Sequence, residues 1–335
     1  MADALLSPAV GGGLYAASAA AIAFSAKKVT RDDVGRSKAP LMAVSGAMVF
    51  AAQMINFTIP GTGSSGHIGG GVLLAALLGP FAGLLALAAV LVIQCLCFAD
   101  GGLLALGCNI FNIAVIPCLF IYPLVFRPIL SRAKTVKRIW LASVISAVLA
   151  LQLGAFGVVT ETAASGVIEL PFAAFALLMQ PIHLAIGVVE GLVTAAILNF
   201  VHAARPETLM HPAGIEKSAP SAAIAQSGAA PGVDASEPAS RLRPPKKSMW
   251  PVIIVFACIA AALAAGFSAL ASAYPDGLEW SVGNVAGKDF LGESGDEAYT
   301  PVSGLIGAAL VFVLAGLVAL LINLYKKRKK GGEAP

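Results

Sequence analysis

Long apolar segments separated by short charged stretches run along almost the whole chain. The apolar segments cover roughly residues 7–26, 40–58, 68–98, 103–126, 138–160, 171–200, 250–273 and 302–325. Most of them hold about 18 or more residues without a charge, enough to cross a ~30 Å hydrocarbon layer as a helix. The pattern therefore predicts an all-α polytopic membrane protein.

Charged residues between the segments indicate how the chain is oriented. Basic residues follow the first, fourth and last segments: Lys27, Lys28, Arg31, Arg36 and Lys38; Arg127, Arg132, Lys134, Lys137 and Arg138; and Lys326, Lys327, Arg328, Lys329 and Lys330. Acidic residues mark the other side: Glu161 and Glu169, then Asp276, Glu279, Asp289, Glu293, Asp296 and Glu297. Since basic loops stay inside, we expect the C-terminus in the cytoplasm and the N-terminus outside the cytoplasmic membrane.

This orientation requires an additional break in the chain. Residues 58–67 must be outside and residues 127–137 inside, so an odd number of crossings joins them. Segment 68–98 would be about 45 Å long as one helix, and Gly79-Pro80 divides it. Three spans, 68–79, 81–98 and 103–126, then join the two loops. The chain has seven predicted spans before residue 200.

The short span 68–79 implies that the loop before it lies below the outer surface. Residues 58–67 would then dip into the protein from outside. Irregular backbone at that depth is tolerated only where protein buries it or where it lines a cavity.

A change in composition divides the chain into two membrane domains. Residues 204–248 are rich in Pro, Ala and Ser and lack hydrophobic periodicity, which predicts a disordered cytoplasmic linker. The membrane domain would occupy residues 1–203, and residues 249–335 would form a two-helix hairpin with an external polar loop.

Overall composition agrees with a membrane protein and indicates no affinity for nucleic acid. Of the 335 residues, 58% are hydrophobic and 12% are charged, whereas an average soluble domain is nearer a quarter charged. The net charge is +4, and the basic residues collect at segment ends. The partner that this composition predicts is the lipid bilayer.

Polar residues inside the apolar segments fall in pairs with helical spacing. They are Gln53 and Asn56, Asn109 and Asn112, and His183 and Glu190, with Asp100 in the external turn FADGGLLALG. Residues three or seven apart share a helix face. Two interpretations stay open: helix–helix hydrogen bonding, or a polar pocket that opens outward.

His67 lies in an unusually small and flexible stretch, TIPGTGSSGHIGGG, at residues 58–71. A neutral imidazole is the commonest ligand for first-row metals. One histidine is not a site, and the chain has no HxxxH, HExxH or CxxC motif. The alternatives are a loop histidine bonded to backbone, or a ligand whose partners come from elsewhere in the chain.

Three stretches identify a family. PLMAVSGAMVFAAQMINFTIPGTGSSGHIGGG (40–71), FADGGLLALGCNIFNIAVI (98–116) and PIHLAIGVVEGLVTAAIL (181–198) resemble the CbiM/NikM substrate-binding (S) subunits of cobalt and nickel energy-coupling factor transporters. The resemblance covers about residues 1–200 and implies a seven-helix S-component bundle. YPDGLEWSVGN (274–284) resembles the PDGLE domain, which is related to the CbiN/NikN subunit, and fusion of the two is a known arrangement.

The resemblance implies a transported Co²⁺ or Ni²⁺ ion, with a slight preference for cobalt, and no prosthetic group. In the family, an outward-facing pocket holds the metal in a nearly planar set of nitrogens. These come from the N-terminal amine, the backbone nitrogen and imidazole of a histidine at position two, and a second imidazole from the glycine-rich loop. His67 matches that loop imidazole.

The N-terminus departs from the family pattern of Met-His followed two residues on by an acidic residue. This chain begins MADALLSPAVGG, so Asp3 matches the acidic residue and the Met-His pair is absent. One explanation is a true start two codons upstream, giving Met-His-Met-Ala-Asp. The other is a weaker, oxygen-containing site made by the Met1 amine, the Ala2 amide, Asp3 and His67.

The chain contains no G-x-x-x-x-G-K-[ST] motif, so we expect a non-catalytic transporter subunit rather than an enzyme. The resemblance implies a separate transmembrane coupling subunit and separate ATPase subunits. Close approach of a partner helix would use the small-residue pairs Ala16/Ala20 and Ala19/Ala23 in the first span; internal packing is the alternative use of these alanines.

Two other functions remain possible at this level. One is a membrane scaffold or assembly protein with an incomplete metal site. The other is a permease that carries a small organic substrate through a pocket formed by Gln53, Asn56, Asn109 and Asn112.

Overall fold

The computed structural model describes residues 1–31, 35–131, 135–205, 250–265, 272, 274–286 and 306–314. Helices dominate these residues. They are α1 (Pro8–Arg31), α2 (Gly35–Gln53), α3 (Gly71–Leu78), α4 (Pro80–Phe98), α5 (Leu106–Ile110), a π-helical segment (Phe111–Phe126), α6 (Arg127–Ser131), α7 (Val136–Ser165), α8 (Phe172–Ala204), α9 (Trp250–Ala265), α10 (Gly277–Ala286) and α11 (306–314). The predicted linker 204–248 lies outside the described residues from residue 206 onward, as do the acidic residues 289–297 and the basic residues 326–330.

Within the described part of the chain, five helical stretches are long and apolar enough to cross a membrane. These are Pro8–Thr30, Pro80–Phe98, Leu106–Ser131, Val136–Ser165 and Phe172–Ala204, and two shorter apolar helices are Ala39–Gln53 and Trp250–Ala264. The polytopic helical class predicted from the sequence is confirmed.

The predicted break at Gly79-Pro80 is confirmed. Gly79 ends α3 with φ of 89°, a backbone conformation that favours glycine, and Pro80 opens α4. The resulting α3 has eight residues, or about 12 Å of helix, far less than a bilayer thickness. A helix this short must be surrounded by protein.

Helix α3 lies at the centre of the molecule. All eight of its residues are buried, and it packs against α2, α4, α7, α8 and the π-helical segment. Gly83 of α4 permits one close approach to the α3 backbone, since a Cβ there would lie 2.8 Å from the backbone nitrogen of Ala75. The buried face of α4 therefore fits against the backbone of α3.

The chain between α2 and α3 forms a small antiparallel hairpin rather than fully irregular backbone. Strands β1 (Phe57–Ile59) and β2 (Ser64–Gly66) pair, with Thr58 opposite Ser65. Because α2 ends at Gln53, Asn56 lies after the helix, and the prediction that it shares a helix face with Gln53 is wrong.

Helix α7 is longer than predicted. Its N-cap Thr135 accepts a hydrogen bond from the Arg138 N–H, and it ends at Ser165, followed by the C-cap Gly166, whose φ is 59°. Glu161 therefore lies within the helix and is buried, so its placement in an external loop is wrong. The continuous hydrophobic face of α7 against α8 carries the helix past residue 160.

The C-terminal segments pack on the first domain. Helix α9 packs along α2, and α10 packs on α8 and β2. Beside β2, the Ser65 N–H donates to the Pro275 carbonyl oxygen over 2.8 Å, and Ser65 and Asp276 form a parallel bridge. The segment 274–276 thus extends the hairpin on the side of the site described below.

We expect Gly83→Ala to lower the free energy of unfolding by about 1–3 kcal/mol, because the added methyl group meets the α3 backbone instead of a movable side chain. Thermal unfolding of the purified protein in detergent measures this. Gly12→Ala in α1 is the matched control, since a Cβ there meets nothing within 4 Å. Equal stability of the two variants would contradict the close packing of α3 and α4.

Candidate metal site

A cavity of about 120 Å³ brings together residues from the N-terminus, from the first domain and from the segment 276–278. Its polar lining is formed by Met1, His67, Asn109, Asn112, His183 and Asp276. Apolar side chains such as Leu151, Val158 and Ile186 form much of the remaining wall. The volume fits a small ion with its ligands rather than a large organic molecule.

The imidazole of His67 has one nitrogen fixed and one available. Its Nδ1 lies 3.1 Å from the carbonyl oxygen of Ile68. A carbonyl oxygen only accepts, so Nδ1 carries the proton and Nε2 keeps its lone pair. This is the arrangement in which histidine ligates a metal through Nε2, with the other nitrogen held by a hydrogen bond.

His183 repeats this arrangement on α8. Its Nδ1–H donates to the carbonyl oxygen of Met179 over 2.8 Å, which leaves Nε2 unprotonated. The ring lies within electrostatic range of His67 and Asp276. Sequence analysis named His183 as a candidate pocket residue. The structure shows that it lines the same cavity as His67.

The N-terminus of the chain enters the same cavity. The Met1 amine donates to Asn109 Oδ1 over 3.0 Å, and the Met1 carbonyl oxygen accepts from Gly102 N–H over 3.0 Å. The Asp3 carboxylate points elsewhere, because its Oδ1 accepts from Ala105 N–H over 2.9 Å. Asp3 therefore fixes the N-terminal segment to the turn after α4 and does not line the cavity.

Glycines let the loop of His67 pass between three helices. Gly70 has φ of 75°, and a Cβ there would lie 2.6 Å from Val49 of α2. A Cβ at Gly71 would lie 2.8 Å from the Ile113 carbonyl oxygen, and one at Gly66 would overlap Ile186 of α8. The small residues are thus required by close packing as well as by backbone conformation.

Buried polar side chains hold the loop after His67. Glu190 Oε2 accepts from Gly69 N–H over 2.7 Å, and Oε1 accepts from Gly70 N–H over 3.0 Å. Gln53 Nε2 donates to the Gly69 carbonyl oxygen over 2.8 Å, and Gln94 Nε2 donates to Gln53 Oε1 over 3.0 Å. Sequence reasoning missed Gln94, whose signal was a lone amide within the apolar segment of α4.

A second buried carboxylate lies behind the asparagines. Asn112 Nδ2 lies 3.0 Å from both carboxylate oxygens of Glu161. Glu161 is also within electrostatic range of the N-terminal amine. Sequence reasoning missed this residue because it was assigned to a loop; its position in the last turns of a longer apolar helix was the available signal.

The segment after α9 closes one side of the cavity. Asp276, Gly277 and Leu278 line it, and the Asp276 Oδ1 atom accepts from Glu279 N–H over 2.7 Å at the start of α10. A Cβ at Gly277 would lie 3.3 Å from Cε1 of His183. The backbone of this segment therefore packs directly on the His183 ring.

The predicted site residues separate into three groups. Met1, His67, Asn109, Asn112 and His183 line the cavity, while Gln53 and Glu190 hold its loop. The backbone carbonyl oxygen of Asn56 accepts from the Ser272 N–H, and Asp100 lies just after α4, where its N–H donates to the Gln94 carbonyl oxygen. Ala2 lies between Met1 and Asp3 at the start of a 3₁₀ turn (Asp3–Leu5).

Among the described residues, no group of three or more His, Cys, Asp or Glu side chains is close enough to hold a metal ion. His67, His183 and Asp276 share the cavity without forming such a cluster. A metal site here would therefore depend on nitrogens beyond those side chains, such as the N-terminal amine and backbone amide nitrogens.

The fold and the cavity define a polytopic helical membrane protein with a small pocket in which two histidines and the N-terminal residue lie among apolar side chains. The family model described as the cobalt uptake substrate-specific transmembrane region matches residues 1–208, and the PDGLE domain matches residues 250–298. The chain belongs to the CbiM family and carries a fused PDGLE domain.

Several curated proteins are similar to this chain. A putative metal transport protein of Haloquadratum walsbyi is 37% identical over 61% of this chain and 90% of its own length. The putative fused nickel transport protein NikMN of Archaeoglobus fulgidus is 35% identical over 62% of this chain and 66% of its own length. The cobalt transport protein CbiM of Sorangium cellulosum is 30% identical over 51% and 76%.

Solved structures are also similar. A transition metal transporter is 29% identical and has a TM-score of 0.54 over 63% of this chain and 96% of its own. A truncated transition metal transporter is 30% identical and has a TM-score of 0.52 over 61% of this chain and 98% of its own.

The sequence similarity to the fused LarMN protein of Lactiplantibacillus plantarum spans only 35% of that protein.

We expect Gly277→Val to displace the segment that covers His183 and so to raise the rate at which diethyl pyrocarbonate modifies its ring. The added side chain has no room, because a Cβ at Gly277 already lies 2.7 Å from Ile182 Cγ2. Peptide mass spectrometry measures the modification. Ala286→Val, on the exposed face of the same helix, is the control, and equal rates in both variants would contradict the packing.

Proposed function

We propose that this chain is the substrate-capture subunit for uptake of Co²⁺ or Ni²⁺ across the cytoplasmic membrane. The observation that carries the proposal is the cavity that Met1, His67 and His183 line together, with the Nδ1 atom of each histidine bonded to a backbone carbonyl oxygen and Nε2 left free to bind an ion. Imidazole and amine nitrogens suit Ni²⁺ and Co²⁺ better than they suit Mg²⁺ or Ca²⁺. The names of the similar nickel and cobalt transport proteins support the same substrate class.

In this proposal His67 is the principal ligand and the Met1 amine is a second nitrogen ligand. Loss of a proton from the amine frees its lone pair, and Asn109 then orients it through the hydrogen bond described above. The Ala2 amide nitrogen follows directly in the chain and would complete a compact chelate once the ion displaces its proton to water. Asp3 serves as an anchor for this N-terminal segment instead of as a ligand.

The chain captures the ion, and other subunits supply the energy. A coupling subunit and ATPase subunits would drive the movement that releases the ion inside. Helix α1 is the least buried of the five candidate spans, and Ala16, Ala19, Ala20 and Ala23 are all exposed on it. Small exposed residues allow a partner helix to approach closely, so α1 is the proposed docking surface.

The same proposal fixes an orientation in the membrane. Helix α1 begins at Pro8, next to the N-terminal segment that enters the cavity, and ends near Lys27 and Lys28. The positive-inside rule then puts these lysines in the cytoplasm and opens the cavity to the outside. The N-terminus is outside and the C-terminus inside.

We expect His67→Ala to weaken Ni²⁺ and Co²⁺ binding by more than about 100-fold, because loss of outer-shell partners alone costs about 10- to 100-fold. Titration calorimetry of the purified protein measures this. His202→Ala is the control: that histidine lies in the last turn of α8, about 28 Å along the helix from His183, and its loss should leave binding unchanged.

Two outcomes would contradict the assignment. Unchanged affinity in His67→Ala would remove the loop from the site. Absence of saturable binding both in the chain that starts at Met1 and in a variant extended to Met-His-Met-Ala-Asp would overturn the metal function. A large gain in affinity on extension would show that a histidine at position two completes the site.

We expect Ala20→Leu to reduce co-purification of the coupling subunit by roughly 10-fold, since overpacking a close helix contact costs about 1–3 kcal/mol. Metal binding by the isolated chain should not change. Leu153→Phe, on a 47% exposed position of α7, is the control. Normal assembly of the Ala20 variant would place the docking surface elsewhere.

A further inference from the structure

The peptide group between Ile68 and Gly69 connects His67 to a buried carboxylate. Its carbonyl oxygen accepts the Nδ1 proton of His67, and its N–H donates to Glu190 Oε2. A trans peptide unit is planar and rigid, and its C=O and N–H point to opposite edges. His67 and Glu190 therefore lie on opposite edges of one plane.

Glu190 is well placed to hold that plane. Its side chain is 2% exposed, and both of its oxygens accept from the loop, one from Gly69 and one from Gly70. Gly70 is the N-cap of α3, where backbone N–H groups lack helical partners and a negative charge is favourable. The carboxylate thereby ties α8 to the loop and to the start of α3.

The other side of Gly69 is fixed as well. Its carbonyl oxygen accepts from Gln53, which in turn accepts from Gln94. Both amide side chains are 3% exposed, so water does not compete for these bonds. Gly69 is thus held by α8 on one side and by α2 and α4 on the other.

This arrangement has a chemical effect on the imidazole. A carboxylate that accepts from a peptide N–H polarises the carbonyl of the same peptide, because linked hydrogen bonds in a low-dielectric interior strengthen one another. The stronger carbonyl acceptor holds the Nδ1 proton more tightly and makes Nε2 a better donor to a metal. Carboxylates bonded directly to ligating histidines act in the same way.

We propose that Glu190 is a positioning residue for metal capture, and that it orients and polarises the His67 imidazole through the Ile68–Gly69 peptide. The proposal rests on the function proposed above, in which His67 ligates the ion. Glu190 itself does not touch the ion.

The test measures Ni²⁺ affinity together with the hydrogen bonding of the His67 imidazole. We expect Glu190→Gln to weaken Ni²⁺ binding by about 10- to 100-fold, the usual cost of losing an outer-shell partner. In the metal-free protein, the ¹⁵N chemical shifts of His67 Nδ1 and Nε2 should change, because the Nδ1 hydrogen bond loosens. Glu190→Asp keeps the charge with shorter reach and should give an affinity between those of Glu190→Gln and the unchanged protein.

The control removes a hydrogen bond that α8 makes with a different part of the chain. Gln152 of α7 donates to the Gln180 carbonyl oxygen of α8 over 2.8 Å, and no atom of the loop takes part in this bond. Gln152→Leu should leave both Ni²⁺ affinity and the His67 shifts unchanged. An equal loss in Gln152→Leu and Glu190→Gln would mean that helix packing alone is responsible and would overturn the proposal.

The outcomes separate this proposal from the function it rests on. Folded Glu190→Gln protein with unchanged affinity and unchanged His67 shifts would refute the role of Glu190. If Glu190→Gln does not fold, Glu190→Asp decides by the same two measurements. If the unchanged protein binds no Ni²⁺, the metal function fails, while the metal-free shifts still test whether Glu190 positions the ring.

Discussion

Peptide groups buried between helices need hydrogen-bond partners from those helices, because water does not reach them. The loop before α3 meets this requirement through Glu190 for two N–H groups and Gln53 for one carbonyl oxygen. Each bond fixes the distance between the loop and the helix that carries the side chain. The relative positions of α2, α4 and α8, and with them the shape of the cavity, follow from this requirement.

Close packing and backbone conformation explain why the loop is so rich in glycine. Gly66 meets Ile186, Gly70 meets Val49, and Gly71 meets the backbone of Ile113. Any larger side chain would push a helix away and lengthen the bonds to Glu190 or Gln53. A stretch that is flexible as an isolated peptide is therefore rigid in the folded protein, and it presents His67 in one orientation.

Sequence reasoning predicted the features that depend on local chemistry. Gly79-Pro80 ends one helix and begins another whatever surrounds it, so that break was predictable. Helix ends that depend on tertiary contacts were not: α2 ends at Gln53 because a hairpin begins, and α7 continues to Ser165 because α8 supports it. Asn56 and Glu161 were misplaced for this reason.

The site was partly predictable on the same grounds. Spacing of three or seven along a helix identified Asn109, Asn112, His183 and Glu190, but it does not show which helices meet. The link from Glu190 to His67 passes through a peptide group that carries no side-chain signal. Gln94 was missed because one amide in an apolar helix has no distinctive spacing.

The contact between Ser65 and Pro275 affects how the site is assembled. The segment that closes one side of the cavity belongs to the same chain as the cavity, so the two meet in an intramolecular contact. The effective concentration of one for the other is therefore independent of the amount of protein in the membrane. Coverage of the cavity does not depend on the copy number of the protein, whereas coverage by a separate subunit would.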